Sequence, residues 1–370
     1  MNEEFIINAY ALSNDNLLKT EELFVTHRRN WVARFAGHFR SLCAQIRKSQ
    51  DEAALPAISH LGYTMLYTNF IDRHYVADIF VYGEDSYLDN DQRSVGSYDL
   101  TFLFGYFNEL WEKLLANRKR YVGEVSSQDV TSFMFHVLAD FYSYLTSIAR
   151  FAIAECVDGK PYADIVKNDE FEIHVGDYMA NSEPVFTENM TKNANKMAAW
   201  FSKKHDYEYV FEDCSFLDFS QKDFSNTILR YVQFRKTILN DASLQDCSLI
   251  GANFRHAQLE NCRLSKSVIH EADFSFANMR NSNLSRVRGK VGIPNKNEWQ
   301  HVGYLPVSFR NADLTGADFT YANLTGADFT DANLTDTVFT SAILDNAIFS
   351  DGDMPLSEDQ KSKIKISGKE

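Results

Sequence analysis

The sequence lacks any run of uncharged apolar residues approaching the roughly 18 that a membrane span requires, so no transmembrane helix is expected. Its start, Met1-Asn2-Glu3-Glu4, is acidic and has no basic region ahead of an apolar stretch. A secretory leader is therefore not expected, and a cytoplasmic location is. Basic excess is also missing: 37 Lys and Arg stand against 51 Asp and Glu, a net charge of -14, which argues against general binding of nucleic acid or anionic membrane. The five cysteines (Cys43, Cys156, Cys214, Cys247, Cys262) show no CxxC or other zinc spacing and read as small core residues. There is no Walker loop, GxGxxG, HExxH or GxSxG. No catalytic, cofactor-binding or metal-ligating residue is assigned, and the chain reads as a non-enzyme.

At 370 residues the length suggests two domains. In the first part, Phe24, Trp31, Phe35, Phe39, Leu42 and Ile46 recur at helical steps and predict a long amphipathic helix from about Asn16. Its other faces carry Arg28, Arg29, Arg34, Arg40, Arg47 and Lys48, read as a solvated surface. Pro56 suits the first turn of a second helix through Leu61, Met65, Phe70, Val76 and Phe80, with a loop from Gly83 to Tyr98. A third helix is predicted over Asp99–Arg118, and a fourth from an N-cap in Ser126-Ser127-Gln128-Asp129 to about Cys156. Residues 1–166 thus read as an α-helical bundle. Its best polar constellation, His136 with Asp140, shares one helix face and reads as a satisfied structural pair. His74 with Asp72 and Tyr75 is weaker, and the Glu-x-x-His from Glu298 to His301 lies outside the bundle.

Residues 167–210 change texture. Phe171, Ile173 and Val175 alternate and, with Pro184-Val185-Phe186, suggest a hairpin. A helix through Met190, Ala194, Met197 and Phe201 and a strand through Tyr207, Tyr209 and Phe211 follow, as a cap on what comes next.

What comes next is a strict five-residue rhythm: Phe309, Leu314, Phe319, Leu324, Phe329, Leu334, Phe339, Leu344 and Phe349. A small residue stands two places before each one after the first, as in Ala312, Ala317 and Ala322. Neither a helix nor a flat strand keeps that spacing on one face, so the chain must turn after each unit, as in a solenoid. An earlier block from Phe219 to Leu284 keeps the rhythm with more varied small slots; Lys222 departs most, and Cys247 and Cys262 replace Ala. Positions twenty apart should stack, giving ladders of Phe234, Phe254 and Phe274 and of Phe309, Phe329 and Phe349.

The words ADLTG, ADFTY, ANLTG, ADFTD and ANLTD closely resemble the units of pentapeptide repeat proteins, over about residues 211–353. The resemblance implies a right-handed quadrilateral β-helix with four pentapeptides per coil. The expected fold is therefore α+β and multidomain, an N-terminal helical bundle followed by this solenoid. Residues 288–306 interrupt it, either as a loop replacing one coil, the favoured reading, or as a degenerate coil built on Trp299 and Tyr304. Ser357-x-x-Gln360 predicts a C-terminal capping helix within 354–370.

The family uses this solenoid chiefly as a non-catalytic surface, so a protein–protein interaction scaffold is expected, with an unknown protein partner, no direct nucleic-acid or membrane binding, and a monomeric or homodimeric state. The candidate surface comprises Trp299, His301 and Tyr304 in the interruption and Asp318, Asp328 and Asp331 on the later coils. One alternative is a DNA-mimicking protector of DNA gyrase or another topoisomerase, or an immunity protein. Asp313, Asp318, Asp328, Asp331, Asp336, Asp345, Asp351 and Asp353 against Arg310 alone favour it. The earlier block opposes it with Arg230, Arg235, Lys236, Arg255, Arg263, Lys266, Arg280, Arg286 and Arg288. Another alternative is an enzyme or ligand-binding module in the helical part.

Overall fold

The structure, a computed structural model, describes residues 2–83, 92–177, 182–352 and 354–368. It divides into two compact units: Met1–Glu188 with Ile293–Gly303, and Asn189–Gly292 with Tyr304–Glu370.

The first unit is not a helical bundle. Its elements are α1 (Glu3–Asp51), β1 (Ile58–Met65), α2 (Tyr67–Ile71), β2 (Val76–Tyr82), β3 (Arg93–Asp99), α3 (Gly105–Asn117), α4 (Ser127–Cys156), α5 (Lys160–Ala163), β4 (Lys167–Asp177) and β5 (Ser182–Asn189). The strands form one sheet in the order β3-β2-β1-β4-β5, with β1 antiparallel to β2 and parallel to β4. The helix expected after Pro56 is thus two strands joined by the short α2, and part of the expected loop is β3; residues 84–91 of that loop lie outside the described residues. Interior strands are apolar with no clean alternation, which is how β1 reads as a buried helix face. The hairpin expected as a connector belongs to the same sheet.

The helices follow their stripes more closely. Phe24, Trp31, Phe35, Phe39, Leu42 and Ile46 are all buried along α1, which packs against α3 and α4. Phe35 meets Tyr63 of β1 and Tyr98 of β3 at ring separations of 5.0 and 5.1 Å, so α1 covers one sheet face. α1 begins far earlier than expected, capped by Asn2. Its first half buries Ser13, Asn16, Thr20 and Glu21, which break the apolar rhythm. Asn16 and Thr20 survive there by donating to carbonyls four residues back. Ser126 and Asp129 form the capping box of α4. No helix among the described residues is long and apolar enough to cross a membrane.

The second unit opens with α6 (Ala194–Phe201), whose Phe201 lies against Tyr209, Phe219 and Phe224. The expected strand at Tyr207–Phe211 is absent; Tyr207 and Phe211 have positive φ, and Tyr209 is locked by hydrogen bonds from its hydroxyl to the Trp200 carbonyl and from His205 N–H. Beyond it, parallel bridges join residues twenty apart, from Asp213↔Gln233 onward, at four places in each coil. Every inward slot from Phe219 to Leu284 is essentially inaccessible to solvent, as are the small slots at Cys247 and Cys262. Lys222, by contrast, points its side chain outward.

The interruption resolves in a way neither expected alternative describes. Bridges step by 35 residues across it (Asp273↔Ser308, Arg288↔Asn323), so fifteen residues are added to one coil and none replaced. Phe309 therefore stacks on Phe274, 5.2 Å away and nearly parallel, and the two Phe ladders are one. Gly289 holds the intervening inward slot, where a Cβ would lie 2.7 Å from Val307. At the far end α7 (Glu358–Lys361) carries the expected capping box, Gln360 donates to the carbonyls of Phe339 and Ala342, and β8 (Lys365–Ile366) pairs with β7 (Ile348–Phe349) beside β6 (Asp328–Phe329).

Phe254, between Phe234 at 4.9 Å and Phe274 at 4.7 Å, should be indispensable to the ladder. Phe254→Ala is expected to cost about 3–5 kcal/mol in chemical denaturation of this unit. Tyr321→Ala, on an exposed ring that meets the Arg286 guanidinium, should cost no more than about 1 kcal/mol.

Candidate functional site: the coil exterior and the excursion

The repeat word Ala-Asp-Phe/Leu-Thr has a local cause. In each unit the Asp or Asn side chain accepts the backbone N–H two residues on, an Asx turn that starts the corner. Asp318 holds Thr320 N–H at 2.8 Å and Asp328 holds Thr330 N–H at 2.9 Å, while Asn323 does the same for Thr325 at 3.3 Å. The residue at each corner then takes a positive φ, which favours the Gly, Asn and Asp found at Gly316, Gly326, Asn311, Asp331 and Asp336. One carboxylate oxygen of each Asx-turn acid is thereby committed, and each acid is fixed at the spacing of the coils.

The three candidate acids are not equivalent. Asp318 is half-buried with no ion pair among the described residues, and Asp331 is exposed, its carboxylate accepting from Ser350 Oγ at 2.9 Å. Asp328 is buried and pairs with Arg310 at 3.2 Å. Asp313 pairs with Arg280 at 3.1 Å; this pairing and the Thr315 bonds hold its carboxyl below the usual range against a burial effect that pushes it up. Asp336 and Asp345 enter no ion pair among the described residues, and Asp353 lies outside them. In the earlier block Arg255 is taken by Asp273 at 3.2 Å, and Arg286 lies over the Tyr321 ring. Around the last coil, a cleft of about 860 Å³ lies against the C-terminal cap, lined by Thr337, Phe339, Ala342, Gln360 and Lys363 among others.

Of the other three candidates, Tyr304 closes the base of the excursion. Its backbone exchanges two hydrogen bonds with Gly292 (2.8 and 3.2 Å), and its ring stacks on His270 at 4.3 Å. Trp299 and His301 fall within residues 293–303, which belong to the first unit. The Trp299 indole N–H donates to Tyr144 Oη at 2.8 Å, and its backbone N–H donates to Asn14 at 2.8 Å. Gly303 N–H and Tyr144 Oη–H both donate to the Glu21 carboxylate, each at 3.1 Å. A Cβ at Gly303 would collide with that carboxylate and displace it. His301 Nδ1 meets the Val302 carbonyl at 2.7 Å.

This polar knot was not legible in the sequence, because Asn14, Glu21, Tyr144 and Gly303 come from three distant segments. His136 and Asp140 both lie on α4 but exchange no hydrogen bond or ion pair, and His136 is exposed; burial pushes the Asp140 carboxyl up and His136 pulls it down.

Burial likewise pushes the Glu21 carboxyl above its ordinary 4.5, against the Gly303 and Tyr144 hydrogen bonds and the charges of Arg28 and His301. A carboxyl with a raised folded pKa holds its proton more tightly folded than unfolded. Its contribution is fully present below 4.5 and is lost as pH rises through the raised value. Glu21→Gln keeps an acceptor oxygen but cannot ionise. The variant's denaturation midpoint should therefore fall less than the wild type's between pH 4.5 and neutrality; equal slopes would contradict this placement of Glu21.

Comparison with known proteins bears on the coils. The model of the family "Pentapeptide repeats" matches residues 213–246, 247–286 and 312–351, with eight copies, and omits the excursion. No curated protein matches the chain. Among solved structures, the pentapeptide repeat protein Rfr23 of the cyanobacterium Cyanothece 51142 is 16% identical, over 42% of this chain and 100% of its own, with a TM-score of 0.24. A pentapeptide repeat protein of the Arabidopsis thaliana thylakoid lumen is 21% identical over 44% and 77%, with a TM-score of 0.15. Full-length QnrB1, a plasmid-mediated fluoroquinolone resistance protein, is 16% identical over 42% and 78%, with a TM-score of 0.14. These superpositions carry no functional argument. The matched repeats, the small inward slots and the twenty-residue bridging together identify residues 213–286 and 312–351 as pentapeptide repeats.

Proposed function

We propose that this protein is a non-catalytic scaffold that engages a protein partner through the exterior of its later coils, built as the right-handed quadrilateral β-helix of its repeat family. One observation supports the reading above others. Asp318, Asp331, Asp336 and Asp345 stand on the exterior of the later coils with no ion pair among the described residues, while the interior is filled by Phe, Leu and Ala. A filled interior leaves no room for a substrate, so recognition falls to the outside. Corner geometry fixes the acids before any partner arrives, which lowers the ordering cost of binding. The partner that suits them presents Lys and Arg at matching spacing. The cytoplasm is the proposed location, consistent with five free, buried cysteines.

Trp299 and His301 enter this proposal differently from the acids. Trp299 is engaged inside the first unit through its indole and its backbone, so its replacement would disturb that unit before any partner. Asp328 carries the same complication through Arg310. The acidic coils also favour a second reading, protection of a topoisomerase such as DNA gyrase by imitation of duplex DNA, which the basic earlier block opposes.

Affinity purification of the tagged full chain from its host tests both readings. Wild type should retain a stoichiometric partner that the triple variant Asp318→Lys, Asp331→Lys, Asp336→Lys loses, with binding that weakens as salt rises. Identical eluates from the two proteins would contradict the proposal. Retention of a topoisomerase, with supercoiling protected by wild type and not by the variant, would replace the first reading with the second.

A further inference from the structure

The sheet face that α1 leaves uncovered carries three groups of a different chemistry. Glu172 and His174 stand two apart on β4 and so point to the same face. The parallel register sets His60 of β1 opposite Glu172, and Gly62 opposite His174. Glycine at that place leaves room beside the imidazole. One potential ligand atom from each of the three residues lies within 4.8 Å of the others. His174 Nε2 is 2.7 Å from Glu172 Oε2, and His60 Nε2 is 4.0 Å from the same oxygen. The second distance is too long for a hydrogen bond. A structural His–Glu pair would account for one imidazole; it does not account for two converging on one oxygen.

We propose that His60, Glu172 and His174 form a binding site for a divalent transition-metal ion, zinc above all. Two imidazoles and one carboxylate match the ligand preferences of zinc and not those of magnesium or calcium, which take oxygen. Around a tetrahedral ion with bonds of about 2.0–2.1 Å, donor atoms sit roughly 3.3 Å apart, a separation that small side-chain rotations reach from the present one. Three protein ligands leave a coordination position for water. Both rings are largely buried while Glu172 is 41% exposed, so the ion would enter from the carboxylate side. Nδ1 of His174 is buried with no hydrogen-bond partner among the described residues, so its contacts at Nε2 set how that ring turns, while the His60 ring also meets the Gly83 backbone.

Zinc titration of the metal-stripped full chain against a chromophoric chelator tests the site, with melting curves of the metal-free proteins as the control for folding. Wild type should take up one equivalent. His60→Ala, whose ring makes no hydrogen bond to Glu172, should weaken uptake by more than about 10-fold, the lower end of losses seen when even a supporting residue is removed. His174→Ala should do the same, and His136→Ala on α4 should leave uptake unchanged. No stoichiometric uptake by wild type, or equal uptake by His60→Ala with an unaltered melting curve, would overturn the proposal.

Discussion

Parallel bridging between residues twenty apart is the constraint on which the second unit depends. Each inward side chain must meet its counterpart one coil above and below, so the interior admits only a narrow set of residues. Phe, Leu and Ala fill it, and Cys247, Cys262 and Gly289 take slots that larger groups would overfill. The same constraint fixes the outside. A corner after every fifth residue takes a positive φ, and where Asp or Asn stands at the turn its side chain closes an Asx turn on the outside, where a partner would meet it. Interior packing and exterior chemistry are two readings of one five-residue word.

The constraint also explains what the chain does at the excursion. Adding residues to a stacked coil is tolerable only if the bridges resume in register, and here Phe309 resumes on Phe274. Bonds between Gly292 and Tyr304 pinch the departure and return together, so the ladder continues. Residues 293–303 are counted in the first unit, where Trp299 and Gly303 meet Tyr144 and Glu21. Glu21 and Tyr144 are buried polar groups that bond to each other across α1 and α4, and the excursion adds the Gly303 N–H to the Glu21 carboxylate and the Trp299 indole N–H to the Tyr144 hydroxyl.

Much of the second unit was legible in the sequence because its periodicity is strict and its small slots are distinctive. The stacking of Phe234 on Phe254 and the capping box at Ser357 follow from spacing alone. The phase of Phe309 did not, because a step of 25 residues is consistent with several ways of leaving a coil and only bridging partners separate them. In the first unit, α1 and α4 were legible through their stripes and the Ser126 cap. β1 and β2 were not, since Ile58–Met65 packs as an interior strand and carries no alternation to distinguish it from a helix face. His60 and Glu172 come together only through that missed pairing, which is why their juxtaposition had no sequence signal.

Amide hydrogen exchange of the intact protein tests the account most directly. If the excursion completes the first unit, the Trp299 and Gly303 amides, bonded to Asn14 and Glu21, should be protected to the degree of α1 and α4. Ladder amides such as Phe254 should be protected as one block. Exchange at Trp299 and Gly303 at the rate of an open surface loop would contradict the account and return the excursion to the solenoid as a free contact element.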